Sequence, residues 1–208
     1  MKLQEPKVLK CVESKLVETE DEYYYSDAIF TSNIDKSIRL SNITIDSCIF
    51  KGIDFSNIEL DSVDLIDVIF ENCDLSNQCF DEKLIQRVKF VNCRMLGVSF
   101  ISTSLKDVYF ESCGAKYINF SNASIKNMMV NDSDFSEVGF QETNIKNIEL
   151  SCVNLSGAEI VHTCLKDVDV STCKIDNIRI DMYSMQGLVI DQFQSMDLIS
   201  MLGVRVKR

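Results

Sequence analysis

The chain has 208 residues, with 32 acidic and 21 basic side chains, so its net charge at pH 7 is −11. That balance argues against nucleic acid or an anionic membrane as a direct partner, because both repel an acidic surface. Met1–Lys10 is polar and charged, and no apolar run is long enough to span a bilayer, so we expect a cytoplasmic protein without a signal peptide.

Residues 1–35 lack the regular pattern that fills most of the chain. Tyr23–Tyr25 and Ala28–Phe30 have the composition of short strands, while Glu18–Glu22 is an acidic run. The end of a repetitive fold needs a cover, since it otherwise exposes the core and unpaired strand edges. We interpret residues 1–35 as an N-terminal cap with an irregular first coil. A disordered acidic tail through residue 22 is the alternative.

A period of five residues runs from residue 36 to residue 190. A large apolar side chain occupies nearly every fifth position, and a smaller apolar one lies two positions earlier in most units. Neither a helix nor a simple strand has this period. It is typical of short strands joined by corners, with both apolar positions facing inward and Asn, Asp or Gly tolerated at the corners. The column of large side chains begins Leu40, Ile45, Phe50, Phe55 and Leu60.

The spacing of phenylalanine predicts the shape of each coil. Two series recur every 20 residues and are offset by 10. Four pentapeptides make 20 residues, so we predict an all-β fold, a quadrilateral parallel β-helix in which like side chains stack. At a strand spacing of ~4.8 Å, about eight four-sided coils give a rod ~37 Å long. The two series are Phe50, Phe70, Phe90 and Phe110, and Phe80, Phe100, Phe120 and Phe140.

The nine cysteines fit the same pattern. Five of them fall at inward positions, where free cysteine is an ordinary small filler in a reducing compartment. No CxxC pair or Cys/His cluster predicts a metal site, and a lumen filled with side chains leaves no room for a cofactor. The inward cysteines are Cys48, Cys73, Cys93, Cys113 and Cys173.

One stretch, Ser76–Arg87, breaks the apolar pattern without changing its spacing. Gln78 and Lys83 stand at inward positions, where unpaired polar groups are costly. We expect a local bulge that turns Lys83 outward and lets Leu84 or Ile85 fill the gap. Irregular stretches in repeat proteins are often functional, and a tolerated defect is the alternative.

Residues 191–208 predict a short capping helix followed by a strand. Asp191-Gln192-Phe193-Gln194 resembles a capping box, and Gly203 stands where a helix C-cap glycine belongs. An apolar helix face is predicted at Phe193, Met196, Ile199 and Leu202. Val204-Arg205-Val206 alternates like a strand. We divide the chain into residues 1–35, 36–190 and 191–208.

The pentapeptide pattern resembles the pentapeptide repeat family. That resemblance implies the family's right-handed, four-sided β-helix. The stretch from Gln186-Gly187-Leu188 to Gly203 is similar to the end of the quinolone-resistance (Qnr-type) members, in which a short helix closes the coil and joins two subunits. The resemblance therefore implies a homodimer joined at its C-terminal ends. The apolar residues left for that contact are Met201, Val204 and Val206.

The outward charges are unevenly distributed over the faces. One face carries a ladder of Lys106, Lys126, Lys146 and Lys166, with Asp107 and Asp167 beside it. Another face has only Arg39 and Arg179 against its acidic residues, and we take it as the candidate partner-binding surface. Its acidic residues are Glu59, Asp61, Asp81, Glu82, Glu142, Glu159 and Asp181.

The sequence favours a binding protein over an enzyme. The single histidine, His162, lies at an outward corner, and no phosphate-binding or nucleophile motif is present. The resemblance implies a DNA mimic that binds and protects DNA gyrase or topoisomerase IV, with rows of carboxylates in place of phosphates. A generic scaffold that stacks against another protein is the alternative. The lysine ladder counts against mimicry on its own face.

Overall fold

The computed structural model describes residues 3–17, 24–32 and 37–201. They form a right-handed, four-sided parallel β-helix of about eight coils with one short terminal helix. This confirms the predicted fold class. In chain order the elements are β1 (Val12–Glu13), β2 (Tyr24–Ser26), β3 (Ala28–Phe30), β4 (Ile38–Lys51), a 3-10 helix (Phe55–Asn57), β5 (Ile58–Glu71), β6 (Leu84–Val91), β7 (Ser104–Glu111), β8 (Ser124–Asn131), β9 (Gly139–Gln141), β10 (Asn144–Ser151), β11 (Glu159–Val161), β12 (Arg179–Ile180) and α1 (Gln194–Met201).

Successive coils pair in parallel with a shift of 20 residues. Ile38 stands opposite Ile58, for example, and Leu105 stands opposite Ile125. The larger sheet has nine strands, in the order β1-β3-β4-β5-β6-β7-β8-β10 with β2 beside β4, and a second sheet has the order β12-β11-β9. This register stacks each inward column on itself, as the sequence predicts.

The core consists of two phenylalanine stacks inside the coil. Neighbouring rings such as Phe50 and Phe70 have centroids 4.9 Å apart, and those of Phe100 and Phe120 lie 5.2 Å apart with planes inclined by 4°. The ring spacing follows the strand spacing, because each ring comes from the same position one coil later. The predicted series are confirmed.

A residue with positive φ marks nearly every corner, once in five residues. Asn and Gly hold many of these positions, which suits their tolerance of the left-handed region. Asn57 does not have a positive φ, because it ends the 3-10 helix instead. Asn77, Glu82 and Arg87 keep the spacing through the irregular stretch, with φ of 61°, 61° and 52°. The predicted bulge between residues 76 and 87 is therefore wrong.

The described part of the N-terminal segment pairs with β3 and continues along the rod. Val12 pairs with Ala28, a step of 16 residues, so the first coil is shortened. Residues 3–11, the N-terminal arm, run along the side of the rod. The Lys7 N–H donates to the Asp67 carboxylate at 2.8 Å, and Cys11 donates to a backbone carbonyl of β4. The acidic run at 18–22 and the boundary near residue 36 lie outside the described residues, and both stay predictions.

The terminal helix starts at the predicted capping box but buries a different face. Asp191 accepts hydrogen bonds from the N–H groups of Phe193 and Gln194, and the Gln194 side chain accepts from the Asp191 N–H. This cap sets the rotation of the helix, so that Gln194 and Leu198 face the last coil. Phe193 and Met196 are exposed, which makes the predicted face wrong at these two positions. Leu202, Gly203, Val204 and Val206 lie outside the described residues.

Candidate functional site

The candidate acidic surface forms two groups. Glu59, Asp61, Asp81 and Glu82 lie together near the N-terminal end of the rod, on strand β5 and the coil that follows it. Glu142, Glu159 and Asp181 lie several coils farther along the same side. The outward positions between the two groups are uncharged, namely Ser99, Ile101, Ser102, Asn119, Ser121 and Asn122.

Most carboxylates of the first group already have partners. Arg39 donates to Asp61 at 2.6 Å, and its Nε lies 3.7 Å from the Glu59 carboxylate. Asp81 accepts from the Ser99 hydroxyl and from the Ile101 N–H at 2.8 Å, so its orientation is fixed. Exposed pairs such as those of Arg39 contribute little to stability and are screened by salt, so an incoming cation can displace them.

The second group contains one structural carboxylate. Asp181 accepts from the N–H of Ser184 at 2.7 Å and from the N–H of His162 at 2.9 Å. The hydrogen bonds from Ser184, and then the contact with His162, lower the pKa of the Asp181 carboxyl. Glu142 is exposed and Glu159 is half-buried at the surface. These two glutamates are therefore the residues of this group that can meet a partner without disturbing the corner.

A groove opens beside the first group, where two coils separate. One coil farther on, Phe80 donates to the Ser99 carbonyl at 2.8 Å and Ser99 donates to the Gln78 carbonyl at 3.0 Å. The equivalent hydrogen bonds, from the Leu60 N–H to the Cys79 carbonyl and from the Cys79 N–H to the Ile58 carbonyl, are absent between these described residues. The groove has a volume of about 980 Å³. Its lining includes Ser37, Arg39, Glu59, Asp61, Asp74, Ser76, Gln78, Cys79, Asp81, Glu82 and Lys83.

The groove arises from a change of corner geometry. β5 continues as an extended strand around its corner at Ser62, whereas residues 81–82 form a turn at the equivalent corner of the next coil. Backbones with different corners diverge, and the Ile58 carbonyl loses its regular donor, the Cys79 N–H, whereas the Phe55 carbonyl still accepts from the Ile58 N–H. The Gln78 side-chain amide donates to both, at 3.1 and 3.0 Å.

The two polar residues that break the apolar pattern are thus explained by the groove. Gln78 satisfies the Ile58 carbonyl that the divergence leaves open, and the half-buried Lys83 lines the groove without any bulge. Ile85 is fully buried in its regular column, while Leu84 is 37% exposed. The polar side chains at inward positions were the sequence signal for this site, but they did not indicate which backbone groups the Gln78 side chain binds.

A second divergence separates β10 from residues 164–172. No backbone hydrogen bond joins the two within this described stretch, and turn bonds such as the one from Val168 to Leu165 replace the ladder. Two cavities of about 630 and 450 Å³ line the gap. Their charged lining residues are Lys166 with Glu149, Asp167 and Asp169. This second gap is therefore acidic too, but with fewer carboxylates than the groove.

The lysine ladder stands beside a ladder of corner side chains. Lys106 and Lys146 each lie opposite Lys126 in the sheet register. At the adjoining corner, Arg87 makes two hydrogen bonds of 2.6 Å to Asp67. Burial alone would raise the pKa of Asp67, but the hydrogen bonds and charge of Arg87 outweigh it and lower that pKa. Asp107 is buried beneath the arm and accepts from an asparagine on the next coil.

The inward thiols have the environment that the sequence predicts. Cys73, Cys93 and Cys113 are buried, and each thiol lies 3.5 Å from a carbonyl of the preceding coil. Burial raises the pKa of Cys48 to about 11. Within residues 3–17, 24–32 and 37–201, no cluster of three or more His, Cys, Asp or Glu side chains is placed to hold a metal ion. Nor does the described part of the chain contain a helix of the length and hydropathy that crossing a membrane requires.

Exposed apolar side chains gather at the C-terminal end of the rod. Met201, one of the three residues predicted for dimerisation, is 43% exposed at the end of α1. Val204 and Val206 lie outside the described residues. The other large apolar side chains exposed near this end are Met182, Tyr183, Val189, Phe193 and Met196.

Two family models match the chain. One describes a pentapeptide repeat region and matches residues 63–137. The other describes pentapeptide repeats in eight copies and matches residues 38–77 and 133–171. Together they extend over residues 38–171 without a gap. A search of curated protein sequences gave no match.

Several solved structures are similar. A trypsin-treated form of QnrB1, a plasmid-mediated fluoroquinolone resistance protein, is 17% identical, with 90% of this chain and 100% of that chain covered at a TM-score of 0.39. HetL, a pentapeptide repeat protein involved in heterocyst differentiation regulation from the cyanobacterium Nostoc sp. strain PCC 7120, is 11% identical, with 84% and 92% covered and a TM-score of 0.39. Such low identities and TM-scores carry no functional argument.

Proposed function

This chain belongs to the pentapeptide repeat family, and we propose that it is a non-catalytic rod that binds a DNA-handling enzyme in place of DNA. The partner proposed is a type II topoisomerase, either DNA gyrase or topoisomerase IV. The observation that carries the proposal is the acidic side of the rod. Between residues 37 and 190 the chain has 22 acidic and 13 basic side chains, a net charge of −9.

The charge density of the rod sets the expected strength of binding. About eight coils at ~4.8 Å give ~37 Å, so the rod has one net negative charge per ~4 Å, compared with one per ~1.7 Å of duplex DNA. The rod is therefore a weaker anion than DNA of equal length. We expect it to compete for a basic surface at low ionic strength and to lose affinity as salt rises.

Dimerisation at the C-terminal end would lengthen the acidic surface. The exposed apolar side chains of Phe193, Met196 and Met201 support a contact between two copies at this end. Two collinear rods would span ~75 Å at the same strand spacing. Deleting residues 195–208 should convert the dimer to a monomer or cause aggregation. An unchanged dimer in light scattering would place the interface elsewhere.

The test is binding to purified DNA gyrase and topoisomerase IV, measured with and without competing DNA. Charge reversal at Glu142 and Glu159 should weaken binding about tenfold, because charges at the edge of an interface attract an oppositely charged partner at long range. Asp181 is unsuitable for reversal, since its hydrogen bonds hold a corner. Lys126→Ala and Lys146→Ala are the matched controls, and they should leave the affinity unchanged.

A scaffold is the second candidate, and the uncharged stretch between the two acidic groups favours it. A DNA mimic benefits from continuous charge along its length, whereas a stacking surface does not require it. If the protein neither binds gyrase or topoisomerase IV at low salt nor alters supercoiling activity, with or without a quinolone, the mimic proposal fails and the scaffold stands.

A further inference from the structure

The groove between β5 and the following coil is chemically distinct from the rest of the acidic side. Its two walls are backbones that have separated, so peptide groups as well as side chains line it. Across the gap, the Leu60 N–H and the Cys79 backbone groups lack their ladder partners. Elsewhere in the described coils, except at the second gap, the corresponding groups are paired with the next coil.

The charge around the groove has a clear sign. Five carboxylates line it against two cations, Arg39 and Lys83. Arg39 is already engaged by Glu59 and Asp61, and Glu82 is exposed. In addition, the Ser76 hydroxyl oxygen on the groove wall is shielded from solvent and has no hydrogen-bond partner. The carboxylates are Glu59, Asp61, Asp74, Asp81 and Glu82.

We propose that this groove binds an extended segment of a protein partner that is rich in arginine or lysine. The inference rests on the proposed function to the extent that the acidic side binds protein. Guanidinium or ammonium groups would pair with Glu59 and Glu82 at the rim. The segment's backbone would supply the donors and acceptors that Leu60 and Cys79 lack, as an added strand does at an open sheet edge.

An extended segment fits the groove better than a folded surface or a nucleic acid. A convex domain cannot reach backbone groups between two coils, and a polyanion would meet five carboxylates. A single strand presents both a backbone and alternate side chains to such a site. The second gap, beside β10, has the same open backbone but three carboxylates instead of five, so it serves as an internal comparison.

The experiment measures fluorescence anisotropy of a short fluorescein-labelled peptide of alternating arginine and valine. We expect saturable binding that weakens with salt. Glu59→Lys with Glu82→Lys should reduce the affinity about tenfold, while the matched pair Glu142→Lys with Glu159→Lys should change it less than about twofold. A peptide with N-methylated alternate residues should also bind about tenfold more weakly, because its backbone cannot pair.

The position of the peptide can be read from thiol chemistry. Cys79 is exposed in the groove and Cys152 is exposed outside it. Bound peptide should slow alkylation of Cys79 and leave Cys152 unchanged. Equal binding to wild type and to the Glu59/Glu82 variant, or equal protection of both thiols, would overturn the proposal. So would normal binding of the N-methylated peptide.

Peptide binding at the groove and binding of a topoisomerase can succeed or fail independently. If the topoisomerase binds but the peptide does not, the groove proposal is wrong and the proposed function stands. If the peptide binds at the groove and no topoisomerase binds, the groove proposal stands and the enzyme is wrongly identified. Urea unfolding of each variant shows whether a lost signal reflects lost folding. If a variant is unfolded, the protection of Cys79 by bound peptide in the folded wild type decides whether the groove is the binding site.

Discussion

Gln78 offers the sharpest test of how the groove is built. Its column is otherwise apolar, with Val98 and Ile118 at the next two coils, so a pattern-based view predicts that Gln78→Leu stabilises the protein. The structure predicts the opposite. The side-chain amide is the donor for the carbonyls of Phe55 and Ile58, which belong to residues only 1% and 2% exposed.

The magnitude follows from one acceptor, the Ile58 carbonyl, because the Phe55 carbonyl keeps its hydrogen bond from the Ile58 N–H. A buried carbonyl that loses its donor costs ~1–3 kcal/mol. The groove admits water, which reduces that cost, and a leucine gains at most ~1.5 kcal/mol of apolar burial at this half-buried position. We therefore expect Gln78→Leu to lower the free energy of unfolding by about 1 kcal/mol, measured by equilibrium urea unfolding with an unchanged m-value.

The reciprocal variant is the control. One coil later, the carbonyls of Leu75 and Gln78 already accept from backbone N–H groups, at 3.1 and 3.0 Å. Val98→Gln therefore places an amide where no acceptor is free, and it should cost ~1–3 kcal/mol. If Gln78→Leu proves as stable as the wild type or more stable, the side chain does not serve the open Ile58 carbonyl and the explanation of the groove is wrong.

Three further predictions concern the core, the corner ladder and the thiols. Phe100→Ala should lower the free energy of unfolding by ~3–5 kcal/mol and Lys126→Ala by less than ~0.5 kcal/mol; similar losses in urea would contradict the inward assignment. The pKa of Asp67 is lowered by Arg87, so its stabilisation is complete above the unfolded value of ~3.9 and is lost as pH falls through the folded pKa. Unfolding measured between about pH 6 and about pH 2 should show a smaller loss in Asp67→Asn, and equal slopes would refute this. A thiol reagent should label exposed Cys79, Cys152 and Cys164 rapidly in the native protein and leave Cys73, Cys93 and Cys113 unreacted; fast labelling of these three would contradict their burial.

The architecture was readable from the sequence because its code is local and repeated. A pentapeptide places two side chains inward and one residue at a corner, whatever the rest of the chain does. The 20-residue recurrence of Phe80, Phe100 and Phe120 then determines the number of sides, since identical side chains must stack at the strand spacing. The capping box at Asp191 was readable for the same reason, as both of its hydrogen bonds join residues three apart.

Only the tertiary structure decided the features that depend on distant contacts. The arm's position rests on a bond between Lys7 and Asp67, 60 residues apart, which no periodicity contains. The face that α1 buries was decided by the cap and by the last coil, not by the spacing of its apolar residues. Gln78 is polar because the preceding coil turns its corner differently and leaves the Ile58 carbonyl open. A local pattern shows which residue is unusual, and only the contacts with the neighbouring coil explain why.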